Sequence, residues 1–258
     1  MVKGLYTAYT GMLNEQHRMD VLSNNMANVT TVGYKKEGTT SQAFDEVLTL
    51  KIKDSTVGYD LVQREGYNSR GVKIGENYVD WSQGSFRITE NTYDLALGDT
   101  GFFAVEFTNK AGETTTMYTR QGQFTLTKEG YLVTNNGDFV LDVNNRRIQV
   151  DTLQDATIDQ QGNIWQNDRQ VATIQVTDFE DYDYLERYGE TYFVPIDGAR
   201  QTPSGARVYS GYLEMSNVQS VSEMVNLISI SRQYESNQKI IQTIDSTLDV
   251  AVNQIGQV

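Results

Sequence analysis

Few side chains in this 258-residue chain have the type and spacing to do chemistry. Its single histidine, His17, has no cysteine to share a zinc ion with, because the chain has none. A lone histidine on a helix is far more often a surface or seam residue than a base. The run DFEDYDYLE sets Asp178, Glu180, Asp181, Asp183 and Glu186 close together, and carboxylate oxygens are what a hard cation such as calcium takes. The run lacks the central glycine and final glutamate of a calcium-binding hand, so a solvated loop is the stronger expectation. Asp94, Asp99 and Asp142 lie near expected turns; paired carboxylates can cleave glycans, but sequence leaves their separation open. No phosphate-cradling glycine loop, serine nucleophile elbow or dinucleotide fingerprint occurs. The expectation is a chain with no catalytic set, no cofactor and no metal site.

The charge points the same way. The formal net charge is -13, unevenly spread: residues 61–215 carry 13 basic and 23 acidic groups, against 6 and 7 in residues 1–60 and 2 and 4 in residues 216–258. An acidic middle suits a face kept in water and argues against nucleic acid, which needs a basic face. Nearly neutral ends can pack side by side without much repulsion. No stretch is long and apolar enough to span a membrane. The opening MVKGLYTAYTGMLNEQ has no continuous apolar core and no small-residue cleavage site, so no cleaved signal peptide is expected.

Helices dominate the two ends. Residues 3 to 31 carry Leu5, Met12, Met19 and Met26 seven apart, with Ala8, Leu22 and Val29 as a second series broken by Glu15. This a/d pattern predicts a helix about 40 Å long whose partner is another helix and not a sheet. Asn24, Asn25 and Asn28 supply amides for helix-end backbone groups or for carbonyls of another chain, and Gly33 supplies a positive-φ exit. Residues 218 to 256 repeat the pattern more strongly: Leu227, Tyr234, Ile241, Leu248 and Ile255, then Ile230, Ile244, Ala251 and Val258, with polar Asn237 in the second series. Ser220 and Glu223 have capping-box spacing, and the first glycine is Gly256. A helix close to 60 Å long with one narrow apolar stripe needs partners along its whole length.

Between them, residues 81–215 read as short strands punctuated by turns, with Asn135-Asn136-Gly137-Asp138 the strongest hairpin signal. Residues 34–80 read as a connector in which Phe44, Val47, Leu48 and Ile52 prolong a helical or extended stretch before Gly58, Gly66, Gly71 and Gly75 break it. The fold class expected is α+β: long N- and C-terminal helices (1–33 and 216–258) packed as a coiled-coil-like layer, with a central, mostly antiparallel β domain.

Three runs resemble the flagellar basal-body rod protein family, of the distal-rod type or its close proximal relative. They are GLYTAYTGMLNEQHRMDVLSNNMANVTTVGYKK from Gly4, DLALGDTGFFAVE from Asp94 with YTRQGQFTLTKEGYLVTNNGDFVL from Tyr118, and GYLEMSNVQSVSEMVNLISISRQYESNQKIIQTID from Gly211. Their order and register cover most of the chain. The resemblance implies a structural subunit: terminal helices packed as the inner layer of a helical tube, a β domain outside, export without a cleaved signal, and torque passed from motor to hook. The implied partners are copies of the chain, other rod and hook proteins, and ring proteins of the basal body. The implied assembly interface is Leu5, Met12, Met19, Leu22, Asn25, Met26, Asn28 and Val29 at one end and Leu227, Ile230, Tyr234, Ile241, Ile244 and Leu248 at the other. Two other readings fit the same layout, a wall-polymer enzyme and an adhesin-like binding module.

Overall fold

The computed structural model describes residues 2–52, 62–110 and 112–255. Gly58, Gly256 and Val258 lie outside them. The chain forms two compact units. One comprises Met1–Met26, Glu37–Asp80 and Gln219–Val258; the other comprises Ala27–Lys36 and Trp81–Val218.

The first unit holds both long helices, α1 (Val2–Ala27) and α2 (Ser220–Val250), the latter running into a π turn at Ala251–Ile255. Neither helix contains proline, so each ladder runs unbroken. The N-cap of α2 is Gln219, whose side chain makes no capping bond. The expected capping box therefore does not form: Ser220 is already helical, and a cap must sit one residue outside the helix.

The segment 37–79, read from sequence as an irregular connector, is instead four strands. β1 (Glu37–Ala43) pairs antiparallel with β4 (Val72–Val79), and β2 (Val47–Ile52) with β3 (Val62–Asn68), as two nested two-stranded ribbons. The β-branched residues are frequent enough to favour extension, and the glycines accommodate it. Gly71, at φ 129°, lets the ribbon pass against α1, where a Cβ would sit 2.2 Å from Thr10 Oγ1. The ribbon also corrects the expectation that α1 would pack on a helix and not a sheet. Asn14 Nδ2 donates to Ser41 Oγ at 2.9 Å, and His17 Nε2 lies 3.2 Å from Asn77 Oδ1. One face of α1 thus rests on β1 and β4, and His17 is used there as a fold residue.

The second unit is an antiparallel β domain. Its middle strand, Phe102–Thr108, pairs with Thr114–Thr119, with Phe139–Val140 and with Val176–Phe179 in a nine-stranded sheet. Successive side chains of a strand point to opposite faces. Phe103 and Val105 accordingly enter one core with Leu95, Phe124, Leu132, Ile148 and Ile164, while Phe102 and Ala104 enter another with Tyr118, Phe179 and Phe193. Trp81 closes the second core, its ring 4.8 Å from Phe193 and 5.5 Å from Phe102. The Asn135–Asp138 hairpin forms as expected: Gly137, at φ 91°, donates to Thr134 O, and Thr134 N to Asp138 O.

Candidate assembly surface

The helical unit decides which predicted positions are shielded. Between Arg232 and Val250 the residues not fully exposed are Tyr234, Asn237, Ile241, Ile244 and Leu248, and every other residue there is exposed. They are the heptad positions read from sequence. Leu227 is half-buried and Ile230 is buried, 4% exposed, continuing the same stripe toward the helix start. On α1 the stripe is looser: Leu5, Met12, Met19, Leu22 and Met26 are half-buried, Ala8 is buried, and Val29, just past the helix, is half-buried.

Two glycines on α1 mark where α2 comes close. A Cβ at Gly4 would lie 3.6 Å from Ile244 Cδ1, and one at Gly11 would lie 3.0 Å from Asn237 Nδ2. Both glycines and both facing residues are seven apart and run in opposite directions. The helices therefore lie antiparallel, in a register where facing residue numbers add to 248.

Asn25 and Asn28 are buried within the subunit. Asn25 Nδ2 donates to Glu37 O at 2.7 Å while its Oδ1 accepts from Glu37 N at 2.9 Å, closing the chain on itself where it enters β1. Asn28 Oδ1 accepts from Thr31 Oγ1 at 3.0 Å.

Sequence reasoning missed a set of deeply buried charges in the β unit. Glu214 is 0% and Lys35 1% exposed, and Lys35 Nζ donates to Glu214 Oε1 at 2.6 Å and to Ser82 O at 2.9 Å. Arg120 Nη1 reaches Glu214 Oε2 at 3.4 Å, and Gly84 N donates to Oε1 at 3.1 Å. Arg187 donates to Lys35 O and lies 4.5 Å over the ring of buried Tyr34. Beside them Gly33 sits at φ 71°, so close to Arg120 that a Cβ would come within 2.4 Å of its carbonyl carbon. Lys36 N donates to Asn217 Oδ1 at 2.8 Å. This network ties the entering segment 31–36 to the departing segment 214–217. Its three ionic members fall one in each of the runs VGYKK, YTRQGQF and GYLEMSN.

The other chemistry candidates turn out to be structural. Asp178 accepts from Tyr182 Oη at 2.6 Å, Thr100 Oγ1 at 2.7 Å and Phe179 N; burial pushes its pKa up, but these bonds more than offset it and hold the carboxyl below its ordinary range. Asp181 caps a 3-10 turn. Asp94 is buried and accepts from Asn91, Asp142 accepts from Asn144 N, and Asp99 is an exposed turn residue at φ 79°. Among the described residues no group of three or more histidines, cysteines or carboxylates is arranged to hold a metal ion, and no helix is long and apolar enough to cross a membrane.

Three family models match in order along the chain: "Flagella basal body rod protein" over residues 5–35, "Flagellar hook protein FlgE/F/G D1 domain" over 96–166, and "Flagellar basal body rod FlgEFG protein C-terminal" over 209–255. The flagellar basal-body rod protein FlgG of Bacillus subtilis is 32% identical over 98% of this chain and 99% of its own length. The chain belongs to the flagellar basal-body rod protein family. The hook-basal body complex protein FlhO of the same organism is 32% identical over the whole of both chains, and the rod protein FlgF of Caulobacter vibrioides 30% over the whole of both. The rod family's N- and C-terminal models cover the two helical ends, and its D1 model lies within the β unit. Its members are structural components of the basal body, and that is where this chain belongs.

Proposed function

We propose that this rod-family chain self-assembles with its own copies into a helical tube, through residues 1–33 and 216–258. As a member of the family the chain is a structural subunit of the flagellar rod that assembles with other flagellar proteins. The heptad positions of α1 and α2 form the inner seam, where a shift of register misplaces every knob and so one lattice is selected. The role is mechanical, carrying torque toward the hook, and involves no catalytic step. Rod and hook proteins are the neighbours along the axis, and ring proteins the neighbours around it. Export takes place without a cleaved signal.

One observation supports this reading: along the distal half of α2, a helix of 31 residues, only the heptad positions are shielded, and the rest of its surface is exposed. The test is mass spectrometry of hook–basal bodies purified from the source organism. Recovery of the chain at a stoichiometry comparable to the other axial proteins is the expected result. Its absence there, with recovery in the culture fluid or the wall fraction, would sink the reading.

A further inference from the structure

Each terminal helix carries a second apolar stripe on an exposed face, where Tyr6 of α1 also has its ring 6.4 Å from that of Phe44. On α1 it is Tyr6, Tyr9 and Leu13, exposed by 47, 46 and 42%. On α2 it is Val221, Val225 and Ile228, exposed by 74, 62 and 52%, with Met224 alongside. Scattered exposed apolar residues need no explanation, but two stripes at helical spacing on one unit do.

The stripes match each other. Written antiparallel, Tyr6 meets Ile228, Tyr9 meets Val225 and Leu13 meets Val221: the spacings 3 and 4 on α1 are repeated in reverse on α2, and facing residue numbers add to 234. Within the chain the register adds to 248. The difference is 14 residues, or two heptads, so the same faces cannot meet inside one chain but can meet between two copies offset by about 21 Å along the helix axis. A whole number of heptads also keeps the two helices in the same rotational phase.

The chemistry matches as well. Beside the α2 stripe lies a groove of about 390 Å³ with an apolar floor of Val225 and Ile228 and a polar rim of Ser229, Arg232, Gln233 and Ser236. A tyrosine has an apolar body and a polar tip, and a guanidinium favours an aromatic face. Tyr6 and Tyr9 supply such groups, whereas a stripe packed on its own copy would offer phenols no groove. The register brings Lys3 near Arg232, with Glu235 one turn further on to offset the added cation.

We propose that Tyr6, Tyr9 and Leu13 of one copy seat on Val221, Val225 and Ile228 of a second copy, antiparallel and offset by two heptads. This rests on the rod-subunit reading and names its subunit contact. Each copy uses its α1 stripe once and its α2 stripe once. The contact is therefore heterologous and propagates without closing into a dimer.

The chain has no cysteine, so engineered ones report without background. Tyr9→Cys and Val225→Cys chains are expressed together, basal bodies are purified, and disulfides are formed by mild oxidation. The expected result is a cross-link between the two chains, none within either variant alone, and none when Arg232→Cys, one heptad away, replaces Val225→Cys. Self-linking of Tyr9→Cys, equal linking through residue 232, or no link in basal bodies that contain both chains would each overturn the contact while leaving the rod reading intact. Absence of even the wild-type chain from basal bodies would overturn both. The second measurement is a charge exchange. Tyr9→Lys or Val225→Glu alone should lower incorporation by more than about tenfold, and the two together should recover it to within about threefold. A double variant no better than the worse single variant counts against the contact even if the cysteine chains fail to incorporate.

Discussion

Replacing Lys35 by methionine removes one cation from the network around Glu214 while roughly keeping the side-chain volume. Glu214 is wholly buried; after the change it retains Gly84 N at 3.1 Å and Arg120 at 3.4 Å but loses its shortest partner, the 2.6 Å ammonium. Ser82 O loses a donor at the same time. Removing one partner of a buried pair costs about 3–5 kcal/mol, and the remaining Arg120 places the effect near the lower end, about 3 kcal/mol. For a domain of this size that corresponds to a fall of about 6–12 °C in melting temperature. Denaturant unfolding followed by tryptophan fluorescence reads the β unit directly, because Trp81 packs in its second core. The triple variant Lys35→Met, Arg120→Met and Glu214→Leu should lose less than Lys35→Met alone, since the three charges that meet there then leave together. A single variant within about 1 kcal/mol of wild type would refute the claim that the ion network holds the entering and departing segments together.

Gly33→Ala should destabilise the β unit by at least about 2 kcal/mol in the same assay, because the residue needs φ 71° and a Cβ would strike the Arg120 backbone. Ile241→Asp puts a charge into the α2 stripe; basal-body incorporation should fall by more than about tenfold, while the unfolding midpoint of the β unit should not move. Tyr192 and Tyr182 are pushed up to about 12, first by burial and then by their bonds to Asp138 and Asp178. The folded state therefore holds these protons more tightly, so their contribution is whole below pH 10 and is lost between pH 10 and 12. Tyr192→Phe with Tyr182→Phe should flatten that alkaline decline in stability, and an unchanged slope would refute the assignment.

The shielded stripe of α2 was legible because a seven-residue period keeps apolar residues on one face of a helix. The hairpin at Asn135–Asp138 was legible because a glycine at positive φ after two asparagines admits few backbones. The ribbon of 37–79 was not: β1 and β4 have partly wet faces, so no clean alternation develops in them, and Gly71 and Gly75 read as breaks when they are points of close approach.

Local pattern by itself determined the two terminal helices, the heptad face of α2, the antiparallel β middle and, through three ordered runs, the family. Those features depend on neighbours within a few turns of chain. Only the tertiary structure decided that Asn25 closes on Glu37, that α1 shares itself between α2 and a β ribbon, and that Lys35, Arg120 and Glu214 meet. Lys35 and Glu214 stand 179 residues apart, and a charge in a sequence looks the same whether water or a buried counter-ion will solvate it.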